Sequence, residues 1–305
     1  MVDDGGPVIR QADGTLVCWG DNTYDQAVVL AGLGAVSAVS AGGYHTCAFR
    51  QAARTLVCWG NNDYGQTNVP VDPVARSLPA VVRSGTTWLL RGSLTGGSAT
   101  LTFGYGAKPL VPIMGDWDGD GTRTAGTYEA GVFKLNNQND SSAADITFTF
   151  GDPRGFPVVG DYNGDGTEDV AVYRNGLWQL RLSNGATSQF TFGAGSWPFT
   201  VPVAGDWDGD GSDAIGTYTY TSATWALRNS ATSGPADAGT FVFGTANSYP
   251  VPGDWNADSI DTVGVKTGVI WTLRNTNTSG PPDVTFDFGL ANDLPLTWRT
   301  PTTTP

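Results

Sequence analysis

Five copies of one strand pair recur along this 305-residue chain at a spacing of about 45 residues. The first strand of the pair reads Trp88-Leu-Leu-Arg91, Phe133-Lys-Leu-Asn136, Trp178-Gln-Leu-Arg181, Trp225-Ala-Leu-Arg228 and Trp271-Thr-Leu-Arg274. The second reads Leu101-Thr-Phe-Gly104, Phe148-Thr-Phe-Gly151, Phe190-Thr-Phe-Gly193, Phe241-Val-Phe-Gly244 and Phe286-Asp-Phe-Gly289. Alternation in both puts apolar side chains on one face, the pattern of half-buried antiparallel strands. Successive copies are joined by a Pro-Val type strand, an Asp-rich loop and a Gly-x-Tyr type strand, which makes about four strands per unit. Such units bury their faces against one another and predict an all-β chain built as a β-propeller. The array opens at Ala80-Val-Val-Arg83, after the place where a loop would stand, and stops at Leu294-Pro-Leu296, before the next loop would begin. Five strand sets with four loops fit a ring closed where its ends meet, and they also fit a fragment of a larger ring.

Composition agrees. Of 29 acidic residues 27 are Asp, and only three of 16 basic residues are Lys. Asp and Gly suit turns, whereas helical surfaces favour Glu and Lys, so a helical bundle and a doubly wound α/β enzyme are both disfavoured. A net charge of −13 leaves no basic face for a phosphate backbone, so nucleic acid is not an expected partner. The 40% of apolar residues supply a core, which argues against disorder. The longest apolar run, Ala27 to Val39, is too short and too interrupted to span a bilayer. No signal peptide is visible at Met1 to Pro7.

A shorter array precedes the first, with a period of 40. Pro7 to Gly20 aligns without a gap on Cys47 to Gly60, and Asp21-Asn-Thr-Tyr-Asp-Gln26 on Asn61-Asn-Asp-Tyr-Gly-Gln66. Each copy reads as a hairpin. Cys47 and Cys58 sit symmetrically about a turn at Gln51 to Arg54, which predicts a cross-strand disulfide. Cys18 is the counterpart of Cys58, and Pro7 occupies the position expected to face it. The segments Ala41-Gly-Gly-Tyr-His-Thr-Cys-Ala48 and Leu56-Val-Cys-Trp-Gly-Asn-Asn-Asp-Tyr-Gly-Gln66 resemble the bacterial form of the regulator-of-chromosome-condensation repeat, over residues 7–70. Because such repeats build larger propellers, the resemblance implies that the N-terminus is truncated from a longer array. The expected organisation is therefore 1–78 for the partial array, 79–299 for the propeller and 300–305 for a Thr/Pro linker or tail.

The Asp loops begin at Asp116, Asp161, Asp206 and Asp254. Hard oxygen donors at positions 1, 3 and 5 of a tight loop converge on one point and suit Ca2+. The candidate ligands are Asp116, Asp118 and Asp120; Asp161, Asn163, Asp165 and Asp169; Asp206, Asp208 and Asp210; and Asp254, Asn256 and Asp258. An EF-hand is set aside, because its twelfth-position Glu is absent and the flanks are strand-like. The spacing resembles integrin-like FG-GAP propeller repeats, over residues 80–299, in which a carboxylate at position 9 completes the set. Only Asp169 supplies one, which makes the second loop the tightest of two or three expected ions. Asp213, at position 8, is a substitute ligand for the third loop, and the fourth loop has lost both its glycines.

Nothing marks an active centre. His45, the sole histidine, has no nucleophile motif beside it, and no Cys/His metal cluster or phosphate-cradling Gly-Lys-Ser/Thr loop occurs. Nine of the 11 Trp fall at repeat-equivalent positions, as packing between blades demands; Trp197 and Trp298 fall outside and are the candidate exposed contacts. Arg91, Arg181, Arg228 and Arg274 are expected to bond Asp residues of adjacent blades. The sequence thus implies a non-enzymatic adhesion, recognition or scaffold module of a larger extracellular or cell-surface protein, with an unknown protein or carbohydrate ligand. A lectin-like carbohydrate binder is the alternative, and a guanine-nucleotide exchange factor a remote one.

Overall fold

The computed structural model describes residues 8–11, 14–30, 33–50, 56–64, 66–67, 76–108, 110–195 and 198–299. The chain divides into two compact units, Met1–Val74 and Ala75–Pro305. No helix occurs among the described residues.

In the first unit β1 (Val8–Arg10) and β2 (Leu16–Cys18) form a hairpin. A three-stranded antiparallel sheet follows from β3 (Val36–Ala41), β4 (His45–Arg50) and β5 (Leu56–Gly60). Cys47 and Cys58 stand opposite each other and are joined by a disulfide. The turn at Gln51 to Arg54 lies outside the described residues, as does Pro7. Val8 rather than Pro7 faces Cys18, so the two hairpins differ in register by one residue, and Cys18 is free. Repetition does not give equal burial either. Leu16, Leu33, Val36 and Ala48 pack with Trp59, whereas Trp19 is 45% exposed. Cover for Trp59 comes from the repeat before it, and no such cover reaches Trp19 among the described residues.

The second unit opens with β6 (Leu78–Arg83), β7 (Thr87–Leu90) and β8 (Leu101–Gly104). Four antiparallel quartets follow. The first is β9 (Val111–Gly115), β10 (Thr124–Glu129), β11 (Val132–Leu135) and β12 (Ile146–Thr149). Then come β13 (Phe156–Gly160), β14 (Asp169–Arg174), β15 (Leu177–Arg181) and β16 (Thr187–Thr191). The third is β17 (Thr200–Gly205), β18 (Ala214–Thr219), β19 (Thr224–Arg228) and β20 (Gly239–Val242). The last is β21 (Tyr249–Pro250), β22 (Gly264–Thr267), β23 (Ile270–Leu273) and β24 (Val284–Asp287). Finally β25 (Leu294–Trp298) returns to pair with β6, completing a fifth sheet in the order β25-β6-β7-β8. The ends of the unit share a blade, which closes a propeller.

No single sheet runs round the ring; each junction is bridged instead by one backbone hydrogen bond. Glu168 N–H donates to Asp116 C=O (2.8 Å), Asp213 to Asp161 (2.7 Å), Asp261 to Asp206 (2.7 Å), Ser77 to Asp254 (2.7 Å) and Arg123 to Arg299 (2.9 Å). The innermost strands β9, β13, β17, β21 and β25 pair on one side only. Each carries a proline: Pro112, Pro157, Pro202, Pro250 and Pro295. A residue without an N–H is tolerated on an edge strand and blunts it against further pairing.

Aromatic side chains fill the space between sheets. Trp88, Trp178, Trp225 and Trp271 are fully buried, and Phe133 takes the equivalent place in the remaining blade. Their indole N–H groups donate to the carbonyls of Tyr105, Phe192, Phe243 and Phe288 at 3.0–3.1 Å, so burial leaves these polar atoms satisfied. The Tyr of each Gly-x-Tyr strand reaches toward the next blade, with Tyr128, Tyr173 and Tyr218 O–H bonding the carbonyls of Asp152, Gly195 and Thr245. In the fourth quartet Lys266 does this work, its buried ammonium donating to the carbonyls of Gly268, Leu290 and Asp293.

Candidate metal-binding loops

Each Asp loop joins the innermost strand of a blade to its neighbour. Its first Asp folds inward and caps it: Asp116 Oδ1 accepts the N–H groups of Gly119 (2.8 Å) and Asp120 (3.0 Å), and Oδ2 that of Gly121 (2.7 Å). Asp206 does the same with Gly209, Asp210 and Gly211, Asp254 with Ala257, Asp258 and Ser259, and Asp161 with Asp165 and Gly166. Such turns need left-handed backbone at positions 4 and 6. Gly119 and Gly121 have φ of 76° and 90°, and in the fourth loop Ala257 (64°) and Ser259 (70°) adopt the same region. The fourth loop therefore keeps the shape after losing both glycines. The Trp at position 2 is buried in three loops. Its ring folds back so closely that a Cβ on Gly115 would lie 2.6 Å from Trp117, which explains the Gly-Asp-Trp order.

Donor gathering differs from loop to loop. Asp116, Asp118 and Asp120 bring one oxygen each within 4.8 Å of one another, and so do Asp206, Asp208 and Asp210. Among the described residues no other loop assembles three carboxylates this closely. In the second and fourth, Asn163 donates its amide to Asp165 (2.9 Å) and Asn256 to Asp258 (2.8 Å). Asp169 accepts the N–H groups of Tyr162 (3.0 Å) and Ser183 (2.6 Å). Loops one and three thus gather three carboxylates at one point, whereas in loop two the middle donor is the Asn163 amide and Asp169, at position 9, stands apart from that cluster. Burial pushes Asp116, Asp161 and Asp206 up to about 6, with Glu168 adding to the effect at Asp116, and Asp169 up to about 7. Asp254 is also raised by burial.

Beneath the loops lies a second set, of which the sequence singled out only Asp213, and that as a ligand. Position 8 is Arg123, Glu168, Asp213 and Asp261 in turn, and Ser77 holds the matching place in the fifth blade. Glu168 accepts the N–H of Asp116. Asp213 accepts that of Asp161 (2.9 Å), Asp261 that of Asp206 (3.2 Å), and Ser77 Oγ that of Asp254 (3.1 Å). Asp213 is therefore a strut between blades rather than a substitute ligand of its own loop. Arg123 has no acceptor to offer, and its guanidinium turns to Glu168 (2.7 Å) and Thr297 (3.4 Å). Burial works against the charges here. Arg123 and Arg299 nevertheless hold Glu168 below its ordinary value, whereas Asp213 and Asp261 are raised by burial, Asp213 further by Asp261. A fixed offset of seven residues from each loop's first Asp was the available signal for this set.

Other predicted contacts resolve differently. Arg228 bonds the carbonyls of Thr232 (3.0 Å) and Pro235 (2.8 Å), and Arg91 and Arg274 grip the corresponding loops of their own blades. The expected partners in adjacent blades are replaced because a guanidinium's five donors match the carbonyl-rich turn that follows it. Arg181 instead stands over the Phe148 ring at 4.5 Å. Trp298 is not an exposed contact: it is 7% exposed, and its indole donates to Arg91 C=O. Trp197 lies outside the described residues. The His45 imidazole packs against Gly42 so tightly that a Cβ there would overlap it.

No curated protein matches the chain. Among solved structures, the complex structure of the fission yeast SREBP-SCAP binding domains aligns at 12% identity over 81% of this chain and 71% of that chain, with a TM-score of 0.25. A likeness that weak carries no argument about fold or partner. Residues 36–66, which hold the disulfide-linked hairpin, match the family model for the Regulator of chromosome condensation (RCC1) repeat, and that segment carries an RCC1-type repeat.

Proposed function

We propose that the chain is a non-enzymatic recognition or scaffold module of an extracellular protein, with a propeller stabilised by Ca2+ in its first and third Asp loops. The observation that carries this reading is the gathering of Asp116, Asp118 and Asp120, and of Asp206, Asp208 and Asp210, each within 4.8 Å. The inward Asp keeps lone pairs free after accepting backbone N–H groups, since an ionised carboxylate has about four acceptor sites. A divalent cation would relieve the repulsion among the three charges and stitch the loop to the blade. The Cys47–Cys58 disulfide favours an oxidising compartment. Burial of the repeat tryptophans in the second unit removes the stacking platform that a lectin-like reading would use.

Calorimetric titration of the chelated full chain with Ca2+ tests the metal reading. Two ions per chain are expected, falling to none in the double variant Asp118→Asn, Asp208→Asn. Absence of binding heat together with a Tm indifferent to EDTA would reduce the loops to metal-free Asx turns.

A further inference from the structure

The five innermost strands enclose a cavity of about 600 Å3 along the propeller axis. Among the described residues its wall is built mainly from the Val, Pro, Ile and Leu side chains in and beside those strands, with Met114, Phe156, Tyr173, Asn175, Tyr249 and Thr297 among them. The charged side chains on that wall are Arg123, Arg154 and Arg174, all arginine, in a chain whose net charge is −13. Five residues of strand span about 16 Å. Spread over that length, the cavity has a cross-section of roughly 40 Å2, room for one alkyl chain or one six-membered ring.

The two ends are unlike. At the Asp-loop end Arg123 is bound to Glu168 and faces Asp213 and Asp261, so its charge is already spent. At the other end Phe156 pairs with Tyr173, which places Arg154 and Arg174 together beside the start of β13. Both lean on one carboxylate, Asp152, at 3.8 Å and 2.5 Å. Two guanidiniums share one acid on this side of the mouth, where Tyr249 and Leu294 also begin their strands. Arg154 is 77% exposed and free to swing over an incoming group.

We propose that this channel binds a free, single-chain anionic amphiphile, with its hydrocarbon in the apolar bore and its carboxylate on Arg154 and Arg174. An apolar concavity with a few convergent polar groups is the usual form of a small-molecule site, and paired arginines match a carboxylate's two oxygens. Nothing in this depends on Ca2+ in the loops.

Decanoate, decyltrimethylammonium and vesicles of an anionic phospholipid, each titrated into the full chain, test it. One decanoate per chain with micromolar affinity is expected, with at least tenfold weaker binding of the cationic amphiphile and none to vesicles. Arg154→Glu, at an exposed position that folding does not need, should weaken decanoate at least tenfold without moving Tm. Ala204→Trp, which fills the bore, should abolish binding. No decanoate binding, equal binding of the cation, binding to vesicles alone, or an Arg154→Glu variant with native affinity would each overturn the proposal; should Ala204→Trp not fold, Arg154→Glu decides alone.

Discussion

Two alanine-sized decisions in the fourth loop show how local strain is carried. Ala257 and Ser259 hold φ of 64° and 70° where the other loops place glycine, and a left-handed L-residue costs roughly 1–2 kcal/mol. Three N–H bonds to Asp254 hold them there. Ala257→Gly and Ser259→Gly should therefore each stabilise the chain by about 0.5–1 kcal/mol, after the entropy lost by glycine on folding is subtracted. Denaturant melts of the two variants check this, and an unchanged midpoint would mean that the loop relaxes its backbone. Glu168 is the opposite case, a buried acid that answers both Arg123 and the Asp116 N–H. Glu168→Ala strands a buried guanidinium and should cost about 3–5 kcal/mol; Glu168→Gln, which keeps an acceptor, should cost less.

At the scale of elements, the loops make stability depend on pH in a direction that a bound metal would reverse. Asp116, Asp161 and Asp206 are raised to about 6 and Asp169 to about 7 from an ordinary 3.8. A folded-state pKa above the unfolded one means that the fold binds protons more tightly. Its contribution is complete below about pH 4 and is lost as pH climbs through 6 to 7. In EDTA, Tm should fall between pH 5 and 8, whereas in millimolar Ca2+ it should rise over the same range, because the ions need the carboxylates ionised. Parallel curves with and without Ca2+ would sink the metal reading. The strands and the loops were both legible in the sequence, because alternation and Asp-Gly spacing are local signals. Arg228 was legible as a repeated residue but not as the clasp of its own turn, since periodicity reports equivalence between blades and not the direction of a side chain. Asp213 shows the same limit. Its offset from the loop suggested a ligand, and only the meeting of two blades reveals that its carboxylate accepts the N–H of Asp161.

For the whole propeller, closure is the property no single repeat contains. β25 supplies the inner strand of the blade that β6 begins, and Arg299 C=O supplies the fifth junction bond. A variant ending at Asp293 would remove both, together with the Trp298 indole that bonds Arg91. Two outcomes are physically distinct. If blades are stable singly, damage stays beside β6, where Val82, Trp88 and Leu90 lose their cover. If the ring shares its stability through five junctions, loss of one lets every blade open. Sheets that bury one face on each neighbour and cross each junction with a single bridging backbone bond argue for sharing. The four buried indole N–H groups give one reporter in each of four of the five blades, at Trp88, Trp178, Trp225 and Trp271. Hydrogen exchange followed by NMR should show protection falling at all four in the shortened chain, including Trp178 and Trp225, whose blades do not adjoin the one that β25 completes. Native protection at those two with loss at Trp88 alone would show that the blades stand independently and that β25 is a local patch rather than the closure of the ring.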